Sequence, residues 1–329
     1  MKAIVNARYG SPDVLELKEV EKPVPKDNEV LVKVHAASVN AFDWHMLRGE
    51  PFVARLAGGL FRPRHTILGE DIAGTVKAVG GNARQFMPGG EVFGDIAACG
   101  SGGFAEFVCA RADALAPKPA NMTFEEAASV PMAAVTALQS LRDRGKIAKG
   151  KRVLVHGAAG GVGTFAVQLA KCLGAEVIAV CSARNLEQAR SLGADKVIDY
   201  AKEDFTRGGE RYDLILGANG DRSLADYRRA LAPGGIYVMT GGSNRQIFQA
   251  LLLGPLLSLG TGKKLGAMTA RPSQKDLVFV KELIEAGKVK AVIDRRYVLA
   301  EVADAIRYLE TGHARGKVVI TVVPDGESK

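Results

Sequence analysis

Ala158, Gly160 and Gly163 stand at the small-residue positions of a G-x-G-x-x-G pattern. They follow an apolar, strand-like run from Arg152 to His156 and precede apolar residues at helical spacing from Val162 onward. Small residues in such a turn let the backbone approach a pyrophosphate held at the helix N-terminus. The pattern predicts a dinucleotide-binding turn. Alanine replaces the first glycine, and a glycine-rich turn can also end a strand for structural reasons alone.

The end of the next apolar run, Glu176 to Val180, indicates which dinucleotide would bind there. Chains that select NAD tend to carry Asp or Glu at this place for the ribose hydroxyls. The five residues that follow offer a hydroxyl, a guanidinium and an amide but no carboxylate: Cys181, Ser182, Ala183, Arg184 and Asn185. Ser182 and Arg184 suit a 2′-phosphate, so the sequence predicts NADP(H). The alternative is that Ser182 caps a helix beginning near Asn185 and that Arg184 is a solvated charge.

Composition bounds the class of protein. The chain has 329 residues, long enough for two domains, and a net charge of +8. Its basic residues are dispersed and only 6% of residues are aromatic, so we expect no nucleic-acid partner. Four cysteines without a C-x-x-C pair predict a reducing, cytoplasmic setting.

The most apolar run, Ala250 to Leu259, is interrupted by Gly254 and Pro255 and is about half the length that a bilayer span needs. We therefore expect no integral membrane segment. The run would line a pocket or an oligomer contact, and peripheral membrane association stays open as an alternative.

The first third of the chain reads as short strands separated by Gly, Pro and Asn, which is typical of an antiparallel, barrel-like domain. The strand-like segments are Lys2 to Ala7, Val14 to Glu19, Val30 to Ala36, Gly74 to Val79, Glu91 to Ile96 and Phe104 to Cys109. Thr123 and Glu126 form a capping box before the apolar stretch Ala127 to Leu141, which predicts a helix there.

After the glycine turn, strand-like and helix-like segments alternate, which predicts a doubly wound parallel sheet. The strands are Glu176 to Val180, Lys196 to Asp199, Asp213 to Leu216 and Ile236 to Thr240, and the helices between them are Leu186 to Leu192 and Ser223 to Leu231. Two later helices, Ser273 to Ala286 and Glu301 to Glu310, precede a closing strand, Lys317 to Val323, that we place with the first domain. The predicted domains are residues 1–124, with 271–329 returning to them, and residues 125–270.

Six segments together resemble the medium-chain dehydrogenase/reductase superfamily, and within it the zinc-free quinone oxidoreductase branch that includes zeta-crystallin-like enzymes. They are ASVNAFDW, ILGEDIAGTVKAVG, GGFAEFV, VHGAAGGVGTFAVQLAK, LGADKVIDY and GHARGKVVI. The resemblance covers essentially the whole chain. It implies an α/β fold with a Rossmann domain and a GroES-like β-barrel catalytic domain. It also implies NADPH-dependent hydride transfer to quinones or α,β-unsaturated carbonyls. An enoyl or 2-alkenal reductase and a non-catalytic NADPH-binding protein stay open as alternatives.

The positions that hold zinc in alcohol dehydrogenases of this superfamily carry other residues here. Asn40 lies in the stretch of the first cysteine ligand, and Leu68, Gly69 and Glu70 stand in place of a Gly-His-Glu motif. The four-cysteine lobe is missing from residues 81–102. A lone Glu70 cannot hold zinc, which needs three or four directed ligands, so we predict no metal. For Glu70 and Asp71 the preferred interpretation is that of structural carboxylates at a turn. For Asn40 and Asp43, turn-forming side chains with local backbone bonds are the alternative.

The resemblance also assigns candidate site residues. It implies that Asn40 lies beside the nicotinamide and the substrate, which makes it a candidate catalytic residue. His45 and Arg48 follow closely and could donate to an acceptor oxygen, with a solvent proton as the alternative. The other implied cofactor contacts are Thr136, Ala159, Gly160, Gly161, Val162, Ser182, Arg184, Tyr200, Asn219, Gly241, Gly242, His313, Ala314 and Arg315. For the segment from His313 to Arg315, a solvated loop is the alternative. Relatives in this branch commonly dimerise, and the segment from Lys264 to Thr269 is the candidate contact strand.

Overall fold

The structure, a computed structural model, describes residues 1–52, 54–242, 244–260 and 262–322. Contacts divide the chain into two compact units. Unit 1 comprises Met1–Ala133, Pro272–Gly287 and the segment from Ala291 onward, and unit 2 comprises Ala134–Arg271 and Lys288–Lys290. The functional domain boundaries predicted after residues 124 and 270 stay a prediction.

Strands and helices are numbered here in chain order. The strands are β1 (Lys2–Asn6), β2 (Leu15–Glu19), β3 (Glu29–Val39), β4 (Asp71–Val79), β5 (Glu91–Asp95), β6 (Phe107–Arg111), β7 (Leu115–Pro117), β8 (Arg152–His156), β9 (Glu176–Cys181), β10 (Lys196–Asp199), β11 (Tyr212–Gly217), β12 (Leu231–Met239), β13 (Lys264–Ala267), β14 (Ile293–Val298) and β15 (Lys317–Thr321). The α-helices are α1 (Ala41–Arg48), α2 (Ala54–Gly58), α3 (Phe124–Ala128), α4 (Pro131–Gln139), α5 (Gly161–Cys172), α6 (Leu186–Ser191), α7 (Leu224–Ala230), α8 (Asn244–Ser258), α9 (Gln274–Glu285) and α10 (Val302–Glu310).

Unit 2 contains a parallel sheet in the order β10-β9-β8-β11-β12-β13. Its central strands bury both faces, as Val153, Leu154 and Val155 of β8 do, which is what a parallel strand covered by helices requires. Strand order reverses between β8 and β11, so the loops after these strands diverge and leave a crevice at the carboxyl edge. The predicted doubly wound sheet is confirmed.

Unit 1 is built around β3, whose eleven residues are mostly buried. β3 pairs antiparallel with β4, β6 and β15, while β5 and β7 extend the sheet beyond β4. β14 is the parallel exception, because it pairs with β15 after α10 has crossed over. The closing strand thus joins the first part of the chain, and its arrival brings Lys317 beside the end of β3.

The predicted helix over Ala127 to Leu141 is wrong in one respect, because two helices stand there. α3 ends at Ala128, and Pro131 begins α4, since proline lacks the N–H that would continue the first helix and suits a first helical position. Three of the described helices were not predicted: α1 and α2, which are short, and α8, which continues past Pro255. In the part of the chain that the structure describes, no helix has the length and apolar character needed to cross a membrane.

Candidate cofactor site and active site

The glycine turn of unit 2 connects the carboxyl end of β8 to α5, and its backbone leaves no room for larger side chains. Gly157 has a φ of +86°, a region that favours glycine. A Cβ added at Gly163 would lie 2.1 Å from the Gly157 carbonyl oxygen, whereas one added at Gly160 would come no closer than 3.7 Å to it. Gly163 therefore lets α5 approach the turn. Gly160, at the N-cap, leaves the first N–H groups of the helix open to an anion.

Ser182 and Arg184 lie in the turn that follows β9. Ser182 occupies the N-cap position of a 3₁₀ turn, Ala183–Asn185, but its side chain makes no capping hydrogen bond. Its Oγ instead accepts a hydrogen bond from Asn185 Nδ2 at 3.1 Å. The capping alternative thus fits the position of Ser182 but not its bonding. Arg184 is exposed, and the five residues after Val180 present no carboxylate.

The remaining unit 2 candidates follow successive strands, except for Thr136. Tyr200 follows β10 and is half exposed, and its N–H donates to the Cys181 carbonyl. Asn219 follows β11 and meets the glycine turn, since a Cβ on Gly157 would lie 2.7 Å from its backbone nitrogen. Gly241 and Gly242 follow β12, where a Cβ on Gly241 would lie 2.4 Å from the Ala218 carbonyl oxygen. Thr136 is buried in α4.

The carboxyl edge of one sheet therefore brings together most of the predicted cofactor residues. They are Ala159, Gly160, Gly161, Val162, Ser182, Arg184, Tyr200, Asn219, Gly241 and Gly242. Close-packed glycines, open helix N–H groups and a hydroxyl near a guanidinium fit the diphosphate and the 2′-phosphate of NADP(H). The contacts themselves stay a prediction.

A buried histidine beside this turn was not singled out from the sequence. His156 ends β8, and its Nδ1 lies 2.9 Å from the Tyr227 hydroxyl. Burial lowers the pKa of His156 to about 4, so the ring is neutral near pH 7. A Cβ on Gly220 would collide with both rings. The buried His156–Tyr227 pair therefore packs directly beneath the glycine turn.

In unit 1 the amide of Asn40 is held by two charged groups. Its Nδ2 donates to Asp71 Oδ2 at 2.9 Å, and its Oδ1 accepts a hydrogen bond from Lys317 Nζ. Lys317 Nζ also lies 3.3 Å from Asp71 Oδ2, and Ser38 Oγ donates to the same oxygen at 3.1 Å. The other Asp71 oxygen accepts the Met132 N–H. Lys317 and Asp71 are both buried, so this is a desolvated ion pair that fixes which way the amide points.

Three further carboxyl groups lie near this pair. Asp43, at the start of α1, accepts hydrogen bonds from the backbone N–H groups of Asn40 and Gly69 at 2.7 and 2.9 Å. Burial is the main cause that raises the pKa of Asp43, and burial together with the charge of Asp43 raises the pKa of Glu70 well above its usual range. Burial, and then the charge of Asp71, raise the pKa of Asp95 to about 7.

His45 lies in α1, half-buried, with its ring stacked on Trp44 at 3.6 Å between centroids. Its Nδ1 lies 2.7 Å from the Glu50 carbonyl oxygen, which can only accept, so Nδ1 carries a hydrogen. Burial lowers the pKa of His45, which favours the neutral ring and leaves Nε2 as an acceptor. This state does not favour proton donation, and the general-acid role stays a prediction. The Arg48 guanidinium donates two hydrogen bonds to the carboxylate of Glu310.

The segment His313, Ala314 and Arg315 belongs to unit 1, between α10 and β15. The N–H of Arg315 donates to Asp294 Oδ2 at 2.9 Å, and Ala314 packs against the core that contains Ile320. His313 and Arg315 are exposed, so the solvated-loop alternative stays open for this segment. Its predicted contact with the cofactor stays a prediction.

Lys317 is the functional residue that sequence reasoning missed. The signal was present, because a lysine opens a strand whose next three residues, Val318 to Ile320, are apolar and fully buried. A lysine on a buried strand needs a partner for its charge.

Comparisons with known proteins agree with this architecture. Residues 26–120 match the alcohol dehydrogenase GroES-like domain, and residues 192–320 match the family model described as zinc-binding dehydrogenase. A chloroplast envelope quinone oxidoreductase homolog of Arabidopsis thaliana is 33% identical, with 96% of each chain covered. The chain belongs to the medium-chain dehydrogenase/reductase family. The predicted pairing of a Rossmann domain with a GroES-like domain is thereby confirmed, and the chain is an oxidoreductase.

Further members of the family resemble this one over nearly its whole length. An NADPH-dependent alkenal/one oxidoreductase of Arabidopsis thaliana chloroplasts is 35% identical over 98% of this chain and 80% of its own. The quinone oxidoreductase of Coxiella burnetii has a TM-score of 0.86 and 32% identity, with 98% of this chain and 99% of that chain covered. The Escherichia coli quinone oxidoreductase, solved in complex with NADPH, has a TM-score of 0.84 and 26% identity, with 98% and 100% covered.

Proposed function

We propose that this oxidoreductase uses NADPH and transfers hydride to quinones or to α,β-unsaturated carbonyl compounds without zinc. The observation that carries the choice of cofactor is the end of β9, where Ser182 and Arg184 stand and no carboxylate follows Val180. A carboxylate there would favour the free ribose hydroxyls of NAD, whereas a hydroxyl and a guanidinium favour a 2′-phosphate. The NADPH in the Escherichia coli relative and in the name of the Arabidopsis relative supports the same choice.

The chain's own residues bind and orient the reactants. When bound, the reduced nicotinamide supplies the hydride. The N–H groups at the start of α5 would hold the diphosphate, and the glycines of the turn would let the backbone approach it. Asn40 is held by Lys317 and Asp71, so its amide presents one fixed orientation to a substrate, as preorganised catalysis requires.

The chemistry of the residues at the family's ligand positions supports the proposed zinc independence. Asn40 is an amide whose oxygen already accepts from an ammonium group. Glu70 is buried, and its raised pKa favours the neutral acid, which is a poor metal ligand. Among the described residues, no three His, Cys, Asp or Glu side chains converge in a way that could hold a metal ion. Acceptors that conjugation has already activated do not need a Lewis acid, which is why we propose quinones and enones.

We also propose that the protein acts as a homodimer in the cytoplasm. In unit 2, β13 is the last strand of the described sheet, next to β12, so its outer edge could pair with the same strand of a second copy. Light scattering on the purified protein would test the dimer. A wild-type protein that is monomeric at micromolar concentration contradicts the dimer.

The test of the proposed function is an NADPH-oxidation assay on the purified protein with quinones, 2-alkenals and enones, run beside metal analysis. We expect turnover of several conjugated acceptors, no turnover of saturated ketones, and full activity after dialysis against a chelator. Activity on enals alone would favour the alkenal reductase alternative. Tight NADPH binding without any turnover would favour a binding protein and contradict the proposal. Stoichiometric zinc whose removal abolishes activity would contradict zinc independence.

A further inference from the structure

Unit 1 contains a small cavity that the proposed cofactor and zinc-position arguments do not use. It measures about 20 Å³, room for about one oxygen-sized group. We name it the Asn6 recess. Its lining residues are Asn6, Tyr9, Met46, Gly58, Pro63, His65, Leu68 and Ser101.

Asn6, the last residue of β1, carries the unusual feature of this recess. Its side chain is completely buried, and neither Nδ2 nor Oδ1 has a hydrogen-bond partner. The backbone is held in place, since the Asn6 N–H donates to the Thr66 carbonyl at 2.8 Å. Folded proteins rarely retain a buried amide with no partner, because the lost hydration is not replaced. Such a group calls for a ligand.

Ser101 is a second unusual residue of the recess. Its φ of +62° lies in the left-handed region, which serine rarely adopts and which costs stability. In this conformation its Oγ donates to Glu70 Oε1 at 2.8 Å, while Glu70 Oε2 is buried and makes no hydrogen bond to the protein as an acceptor. The recess is thus lined by the strained Ser101 and the unpaired amide of Asn6. The incompletely bonded carboxyl group of Glu70 is hydrogen-bonded to Ser101.

The recess is connected to the Asn40 network within the same unit. Ser101 Oγ donates to Glu70, the Glu70 carboxyl interacts electrostatically with Asp43, and Asp43 accepts the backbone N–H of Asn40. Apolar side chains of Met46, Leu68 and Pro63 complete the wall. The carbonyl oxygen of a conjugated molecule would match this combination, whereas a free anion would meet the nearby carboxyl groups.

We propose that the Asn6 recess binds an oxygen of the electron acceptor, with Asn6 Nδ2 donating to its carbonyl. The inference rests on the proposed function, whose acceptors are conjugated carbonyl compounds. The same amide suits the product as well, because Oδ1 can accept from the hydroxyl of a quinol or enol. Asn6 is thus a specificity residue that selects acceptors carrying an exposed carbonyl oxygen.

The test is Asn6→Leu, which keeps the branching and the number of heavy atoms of the side chain and removes both polar atoms. With duroquinone as acceptor we expect KM to rise about fivefold to tenfold, the equivalent of one neutral hydrogen bond, with the Kd for NADPH unchanged. Because an unpaired amide is removed, the Tm should stay level or rise. The matched control is Asn121→Leu, since Asn121 Nδ2 has a partner, the Ile284 carbonyl at 3.0 Å. The control should lower the Tm and leave KM unchanged. A KM for Asn6→Leu that equals the wild-type value overturns the proposal.

Two additions keep the test decisive. Ser101→Gly relieves the left-handed strain and removes the hydroxyl, so KM should rise about threefold even if Asn6→Leu does not fold. Calorimetric titration of duroquinone into the NADP⁺-saturated protein needs no turnover. If the wild type does not oxidise NADPH but binds duroquinone more tightly than Asn6→Leu, the proposed function fails and the recess stands. Equal binding by both proteins, or no binding by the wild type, overturns the recess.

Discussion

The carboxyl edge of the unit 2 sheet and the charged cluster of unit 1 are two sites made by opposite means. The unit 2 edge is made of backbone, with glycines spaced within one short stretch of chain between β8 and α5. The unit 1 cluster is made of side chains that lie far apart in sequence, and its central pair, Asp71 and Lys317, are separated by 246 positions. The first depends on the absence of side-chain volume, and the second depends on the balance of charge.

This difference has an energetic consequence. A backbone cradle tolerates almost any change of charge nearby but no added atom at its close-packed positions, such as Gly163, because the packing there leaves no free space. A buried charge cluster tolerates changes of shape better than it tolerates an unpaired charge. Variants of the glycine turn should therefore lose stability through steric overlap, and variants of the charged cluster through an unpaired buried charge.

Removing the single ammonium of the cluster should be the most damaging change. Lys317→Met leaves Asp71 buried without its cation, and we expect a loss of about 3–5 kcal/mol in the free energy of unfolding. The double variant Lys317→Met with Asp71→Asn removes both charges and should recover more than half of that loss. Urea denaturation measures both. A single variant that loses less than about 1 kcal/mol would show that charge balance does not govern unit 1.

Adding one methyl group to the glycine turn should break the other site. Gly163→Ala would place a Cβ 2.1 Å from the Gly157 carbonyl oxygen, and we expect it to cost about 3 kcal/mol and to abolish NADPH binding. Gly160→Ala in the same turn meets nothing closer than 3.7 Å and should stay within about 0.5 kcal/mol of the wild type. Thermal unfolding of the two variants, side by side, tests whether packing governs the turn. Equal stabilities would refute that claim.

The pH dependence of stability sharpens the description of the cluster. The pKa of Asp95 is raised from 3.8 to about 7 in the folded protein, so the folded state binds this proton more tightly than the unfolded state. Its stabilising contribution is complete below pH 3.8 and is lost as the pH rises to about 7. Between about pH 5 and pH 8 the wild type should lose about 2–3 kcal/mol relative to Asp95→Asn. Parallel stability curves for the two proteins would contradict the raised pKa.

The sequence predicts the edge of unit 2 better than the charged cluster of unit 1. The β8 and α5 unit, its flanking strands and the carboxyl edge were predictable because strand and helix periodicity and glycine spacing are local signals. The break at Pro131 was open to prediction from proline chemistry alone, but the apolar pattern continued across it. The pairing of Lys317 with Asp71 and the unpaired amide of Asn6 depend on which strands meet, and one sequence does not specify that register.

Calorimetric titration with NADPH and NADH measures whether the edge of unit 2 selects NADPH through the turn after β9. The wild type should bind NADPH more tightly than NADH. Arg184→Ala should weaken NADPH by about 1.5–3 kcal/mol, the size of a charge-assisted hydrogen bond, and leave NADH nearly unchanged. Equal losses for both coenzymes would remove Arg184 from the selection. A wild-type protein that binds neither coenzyme would contradict the account as a whole.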